Sequence, residues 1–127
     1  MIVGIGTDVV EIGRVARALE RWGERFVQRI LTAEERVRFD GTKEKASHLA
    51  KRFAAKEAFA KAIGSGIRSP FRWHSVRLAR DARGKPLLEA ASGEMARHLV
   101  DLGVTSSHVS LTDDAGVAVA FVVLEGN

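Results

Sequence analysis

The chain has no cysteine among its 127 residues, which excludes disulfide frameworks, thiolate nucleophiles and cysteine-held zinc. Any metal must be bound by oxygen or imidazole. Its most apolar run, Ala115 to Leu124, is too short to cross a bilayer, and Met1 to Gly4 lacks the basic region and apolar stretch of an export signal. The expected location is cytoplasmic, with no membrane partner. No internal repeat, low-complexity tract or linker interrupts the sequence, so residues 1–127 read as one domain. There is also no ribonucleoprotein signature, zinc-finger spacing or helix-turn-helix pattern, which argues against nucleic acid as a partner.

What is present is a basic, globular composition. With 46% apolar and 28% charged residues, the chain has enough apolar surface to fold in water. A net charge of +4 and a pI of about 10.0 favour an anionic partner, either a phosphorylated small molecule or an acidic protein. A basic polyanion-binding module without catalysis is the alternative that charge alone allows.

Hydrophobic periodicity gives the order of elements. Ile2 to Ile5 predicts a buried strand, with Asp8 at its terminus. Val15, Leu19, Trp22 and Phe26 recur at helical spacing from about Glu11 to Phe26, with Gly23 able to divide the segment into two. Thr32 followed by Glu35 has the form of a capping box and predicts a helix over Ala33 to Phe39. Ala46 to Ile63 contains neither Gly nor Pro and runs into Gly64-Ser65-Gly66, as a long central helix should. A hairpin of Ser75–Arg80 and Leu87–Glu89, a helix over Gly93–Leu102, and strands at His108–Leu111 and Val117–Leu124 complete an α+β pattern. Its sheet is expected to be mainly antiparallel and packed on the helices.

Three residues stand out chemically. Glu57 and Lys61 lie four apart on one face of the central helix, which by itself describes an ordinary surface ion pair. Asp8 follows an apolar strand, where it can cap the next helix. Asp8 and Glu57 from separate elements would instead form the hard oxygen site that Mg²⁺ uses, with Lys61 neutralising charge on the same phosphate. Arg14, Arg17, Arg21 and Arg25 form a narrow stripe at i, i+3, i+7 and i+11 beside the apolar stripe that contains Trp22. His48, His74 and His98 have no partner pattern and read as surface or loop residues.

Gly4-Ile5-Gly6-Thr7-Asp8, taken with Arg52-Phe53-Ala54-Ala55-Lys56-Glu57-Ala58, Lys61-Ala62 and Gly64-Ser65-Gly66, resembles the small, trimeric type of 4′-phosphopantetheinyl transferase, the holo-acyl-carrier-protein synthases. The likeness extends through Ile30-Leu31-Thr32, Gly84-Lys85-Pro86 and His108-Val109-Ser110-Leu111-Thr112-Asp113. It implies that Asp8 and Glu57 bind Mg²⁺ and that Lys61 acts on the phosphate or the incoming hydroxyl. It implies coenzyme A contacts from Arg52, Lys61, Gly64, Ser65, Gly66 and Pro86, with His108 near the cofactor and Lys43 or Lys45 at the ribose 3′-phosphate. An apo acyl carrier protein would dock its acidic helix on Arg14, Arg17, Arg21, Trp22 and Arg25. The resemblance also implies a homotrimer with sites between subunits and a role in fatty acid biosynthesis. One departure is Asp113, where many relatives have histidine.

Overall fold

A computed structural model describes residues 1–127. In chain order the elements are β1 (Ile2–Glu11), α1 (Ile12–Trp22), α2 (Glu24–Ile30), α3 (Ala33–Gly41), α4 (Lys45–Ala62), β2 (Val76–Arg80), β3 (Pro86–Ala90), α5 (Gly93–Asp101), β4 (Val104–Asp114) and β5 (Val117–Gly126). One antiparallel sheet has the order β1-β5-β4, and β2 pairs with β3 in a separate hairpin. The fold is therefore α+β, as the sequence pattern predicts.

The long helix α4 lies on one face of the larger sheet. Ala118, Ala120, Val122 and Leu124 of β5 point toward it and are buried, while the alternate residues of β5 are partly or fully exposed. The approach is close because β1 presents glycine. A Cβ built on Gly6 would stand 1.9 Å from the Ala58 carbonyl oxygen, and one on Gly4 2.0 Å from that of Ala62. Both obstacles are main-chain atoms, so this contact admits no side chain.

Around α4 the core has two parts. Phe59, Val76, Met95, Val122 and their neighbours form one, and Val15, Ile30, Phe39, Leu49 and Ala118 anchor the other. Val10 and Trp73 pack against both.

Several boundaries differ from expectation. β1 continues to Glu11, so Asp8 lies within the strand, paired with Ala120, rather than at its terminus. Gly4, Gly6 and Asp8 hide the strand alternation because their face meets a helix backbone and not a bed of large side chains. β4 runs from Val104 to Asp114, placing Asp113 in the strand, and only Ala115 and Gly116 remain as the hairpin turn. Gly23 divides α1 from α2 at φ +52°, so Arg25 leaves the helix that carries Arg14, Arg17 and Arg21. The Thr32–Glu35 capping box is present with both of its hydrogen bonds. His48 is half-buried in α4 and is no loop residue; burial, then the charges of Arg52, Lys51, Arg80 and Arg38, hold its pKa down to about 4. No helix is long and apolar enough to cross a membrane.

Candidate active site

The strand β1 brings Asp8 to the side of α4 that carries Glu57 and Lys61. Lys61 Nζ donates to Asp8 Oδ1 at 3.2 Å and to the Thr7 carbonyl at 3.0 Å. Its ammonium thus sits over the strand while the chain end beyond it turns through Gly64-Ser65-Gly66. Gly64 and Gly66 adopt φ +86° and +62°, and the Gly66 amide closes the helix on the Ala60 carbonyl.

Asp8 and Glu57 line one cavity of about 340 Å³, together with Val10, Glu11, Arg14, Phe26 and Phe53. Burial pushes the Glu57 carboxyl above its ordinary range, and the charge of Asp8 adds to this against Lys61 and Arg14. Asp8 Oδ2 is buried and has no hydrogen-bond partner. Two crowded carboxylates, one with an unused buried oxygen, are a donor set suited to a hard divalent cation. No three acidic, histidine or cysteine side chains are arranged so that together they could hold a metal ion. Such a cation would take its remaining ligands from water and a phosphate.

A second cavity of about 600 Å³ adjoins the first through Ala18, Phe26 and Phe53. Its other walls include Trp22, Ile30, Ile67 and Trp73, and Arg25 and Arg29 bring positive charge to it. Trp73 stacks on Phe53 with ring centroids 4.8 Å apart, and Arg21 lies over the Trp22 ring at 5.0 Å.

The other expected site residues lie elsewhere within the chain. None of Lys43, Lys45, Arg52, Gly64, Ser65, Gly66, Pro86 or His108 lines the cavity of Asp8 and Glu57. Lys45 Nζ donates to the Phe39 and Asp40 carbonyls, capping the C-terminus of α3. Arg52 is buried in α4, where desolvation and then the charge of Arg80 lower its pKa to about 10, and its Nε has no partner. Pro86 opens β3. His108 lies on the sheet face away from α4, with Nε2 3.0 Å from Glu125 Oε1. Asp113 pairs with Lys51 of α4 at 3.3 Å.

Three residues that line these cavities are missed or placed differently by the sequence reading. Arg14, assigned there to carrier docking, lines the Asp8 and Glu57 cavity. Glu11 does so too, although strand alternation places it opposite Asp8; the change from β1 to α1 at that residue breaks the period. Trp73 has no periodic neighbours to mark it.

Comparison with known proteins shows the family. The family model described as the 4′-phosphopantetheinyl transferase superfamily matches residues 4–122. Holo-acyl-carrier-protein synthase of Aromatoleum aromaticum is 50% identical over 125 residues, covering 98% of each chain. That of Thiobacillus denitrificans is 46% identical, covering 98% of this chain and 95% of its own. The crystal structure of the Neisseria meningitidis synthase superposes with a TM-score of 0.93 at 41% identity, over 98% of this chain and 99% of that one. The Helicobacter pylori synthase in complex with coenzyme A has a TM-score of 0.83 at 30% identity, over 95% of this chain and 99% of that one. From Gly4 to Val122, the chain belongs to the 4′-phosphopantetheinyl transferase superfamily.

Proposed function

We propose that this chain transfers the 4′-phosphopantetheine arm of coenzyme A to a serine of an apo acyl carrier protein, releasing adenosine 3′,5′-bisphosphate, and thereby serves fatty acid biosynthesis. The observation that carries the reading is the convergence of Asp8 and Glu57 on one cavity, with Lys61 bonded to Asp8, in a chain of this family. The serine oxygen bonds to the phosphorus on the pantetheine side. The bond from that phosphorus to the bridging oxygen breaks, and the bisphosphate leaves with the electron pair. Asp8 or Glu57 accepts the serine proton, while Lys61 meets charge on the phosphoryl oxygens. Mg²⁺ would be held by Asp8 and Glu57, where it supplies Lewis-acid neutralisation of the pyrophosphate.

For coenzyme A, the glycine turn Gly64-Ser65-Gly66 follows Lys61 directly and has the open backbone that a phosphate approach needs. Arg52 feels the charges of Arg80 and Arg38, opposed in part by Glu35, and together with Lys51 these keep half-buried His48 neutral, a local excess of positive charge that an anion would relieve. This supports Arg52 as a contact for the ribose 3′-phosphate. Of the two loop lysines, Lys43 is the better candidate, because the Lys45 ammonium already caps α3.

The homotrimer is supported by the sheet face away from α4. Ile5 and Val9 are 58% and 62% exposed there and Phe121 46%, an apolar strip suited to a second copy of the chain. His108 shares that face, so a neighbour is the means by which it and Pro86 would reach a cofactor. The arginines of α1 with the apolar cavity at Trp22 suit an acidic carrier helix bearing an apolar side chain. The single domain over 1–127 is supported by the packing of Val10 and Trp73 against both parts of the core. We place the chain in the cytoplasm, where coenzyme A and carrier would both be met. Incubation with apo carrier, coenzyme A and Mg²⁺, read by intact mass, tests the reaction.

A further inference from the structure

Behind the apolar cavity, a buried ion pair joins three segments of the chain. Lys56 Nζ donates to the Ile30 carbonyl, the Trp73 carbonyl and Glu35 Oε1, each at 2.7 Å. Glu35 also accepts from the Thr32 amide at 2.8 Å and, through Oε2, from the Leu78 amide at 2.9 Å. The side chains of Lys56 and Glu35 are 0% and 1% exposed. All three ammonium protons and both carboxylate oxygens are therefore used, the condition under which a buried polar network gives a unique geometry.

Two of the ammonium's acceptors belong to residues that wall the apolar cavity. Ile30 ends α2, Trp73 precedes β2, and one nitrogen of α4 holds both backbones. The Trp73 ring stacks on Phe53, which lines both this cavity and that of Glu57. Glu57 is the next residue along α4. A buried ion pair adds little stability over apolar residues of equal volume. Apolar side chains, however, cannot fix two main-chain carbonyls from separate segments to one point.

We propose that Lys56, oriented by Glu35, is a positioning residue that fixes the Phe53–Trp73 wall beside Glu57 and so shapes the seat of the carrier protein. The proposal rests on the reading of that cavity as the carrier's docking site. It acts through Ile30 and Trp73 and touches no reacting atom.

The test compares the parent chain with Lys56→Met, and with Glu35→Gln as the milder variant if Lys56→Met does not fold. Met95→Ala, in the core and outside both cavities, serves as the control for lost stability alone. With 5-fluorotryptophan the two tryptophans give two fluorine resonances, and Trp73→Phe assigns them. The expected result is a shifted, broadened Trp73 resonance with a fall in carrier kcat/KM of about tenfold to a hundredfold. Coenzyme A affinity stays unchanged, and Met95→Ala lowers the melting temperature while sparing both readouts. A folded Lys56→Met or Glu35→Gln chain with the parent resonance and parent carrier kinetics overturns the proposal. So does a Met95→Ala chain that alters both equally. If the parent modifies no carrier, the functional reading fails, and the Trp73 resonance still decides whether Lys56 positions the wall.

Discussion

Lys61 neutralises one oxygen of Asp8 at 3.2 Å and leaves the other, Oδ2, buried and unpartnered. A single lysine is thus shared between two carboxylates, since Glu57 also feels its charge. The arrangement is short of positive charge, and that shortage is what a cation would answer.

Asp8→Ala and Glu57→Ala should each lower turnover by at least about 100-fold, the loss expected when a group that organises charge at a reacting phosphate is removed. Neither should lower the melting temperature, because each relieves repulsion between two carboxylates. Thermal melting and single-turnover transfer check this together. A folded Glu57→Ala protein with full activity would sink the assignment.

Gly6→Ala should cost about 3 kcal/mol or more, at the upper end of overpacking effects, because its Cβ meets the Ala58 carbonyl oxygen at 1.9 Å. The atoms it meets, the Ala58 carbonyl and the Ala62 amide nitrogen, are all backbone, so α4 must move off β1 and the Asp8–Lys61 contact must lengthen. Urea unfolding should register the loss, and activity should fall even where the protein remains folded. Parent-like stability would contradict the packing described.

Charge reversal at Arg17 and Arg21 should raise the carrier KM by about tenfold at low salt and by much less at high salt, leaving coenzyme A affinity unchanged. Arg14 is unsuitable for this comparison because it lines the cavity of Asp8 and Glu57. Reversal there puts an acid beside two others and should impair both substrates. Steady-state kinetics over a range of ionic strength distinguishes the two cases.

His48 predicts a pH dependence of stability. Its folded pKa of about 4 lies below the ordinary 6.5, so the unfolded chain binds more protons in that interval. The contribution of neutral His48 is complete above pH 6.5 and is lost as pH falls toward 4. His48→Leu should flatten the urea midpoint between those values. A midpoint that falls as steeply in the variant as in the parent would rule His48 out as the cause.

Much of this is legible in the sequence. Thr32 and Glu35 marked the start of α3, and the uninterrupted Ala-rich segment before Gly64 gave α4, because both are local signals. The pairing of Asp8 with Glu57 as a candidate metal site is expected from chemistry and resemblance, and the fold brings the two to one cavity. What could not be read is tertiary. Lys56 and Glu35 sit 21 residues apart, and nothing local shows that one ammonium would bind the Ile30 and Trp73 carbonyls. The length of β1 was hidden because its inward face is built from Gly4 and Gly6, whose role is to be absent. Arg52, Pro86 and His108 stand away from the cavity, since strand parity and helix phase set their faces and neither is legible from motif spacing.

The most direct test is the intact mass of a fresh apo acyl carrier protein after incubation with this chain, coenzyme A and Mg²⁺, with a chelator control. The account predicts the gain of one phosphopantetheine, lost when the metal is chelated. An unmodified carrier across several apo carriers would contradict it and leave a basic polyanion-binding module, whereas full modification in chelator would contradict the metal role given to Asp8 and Glu57.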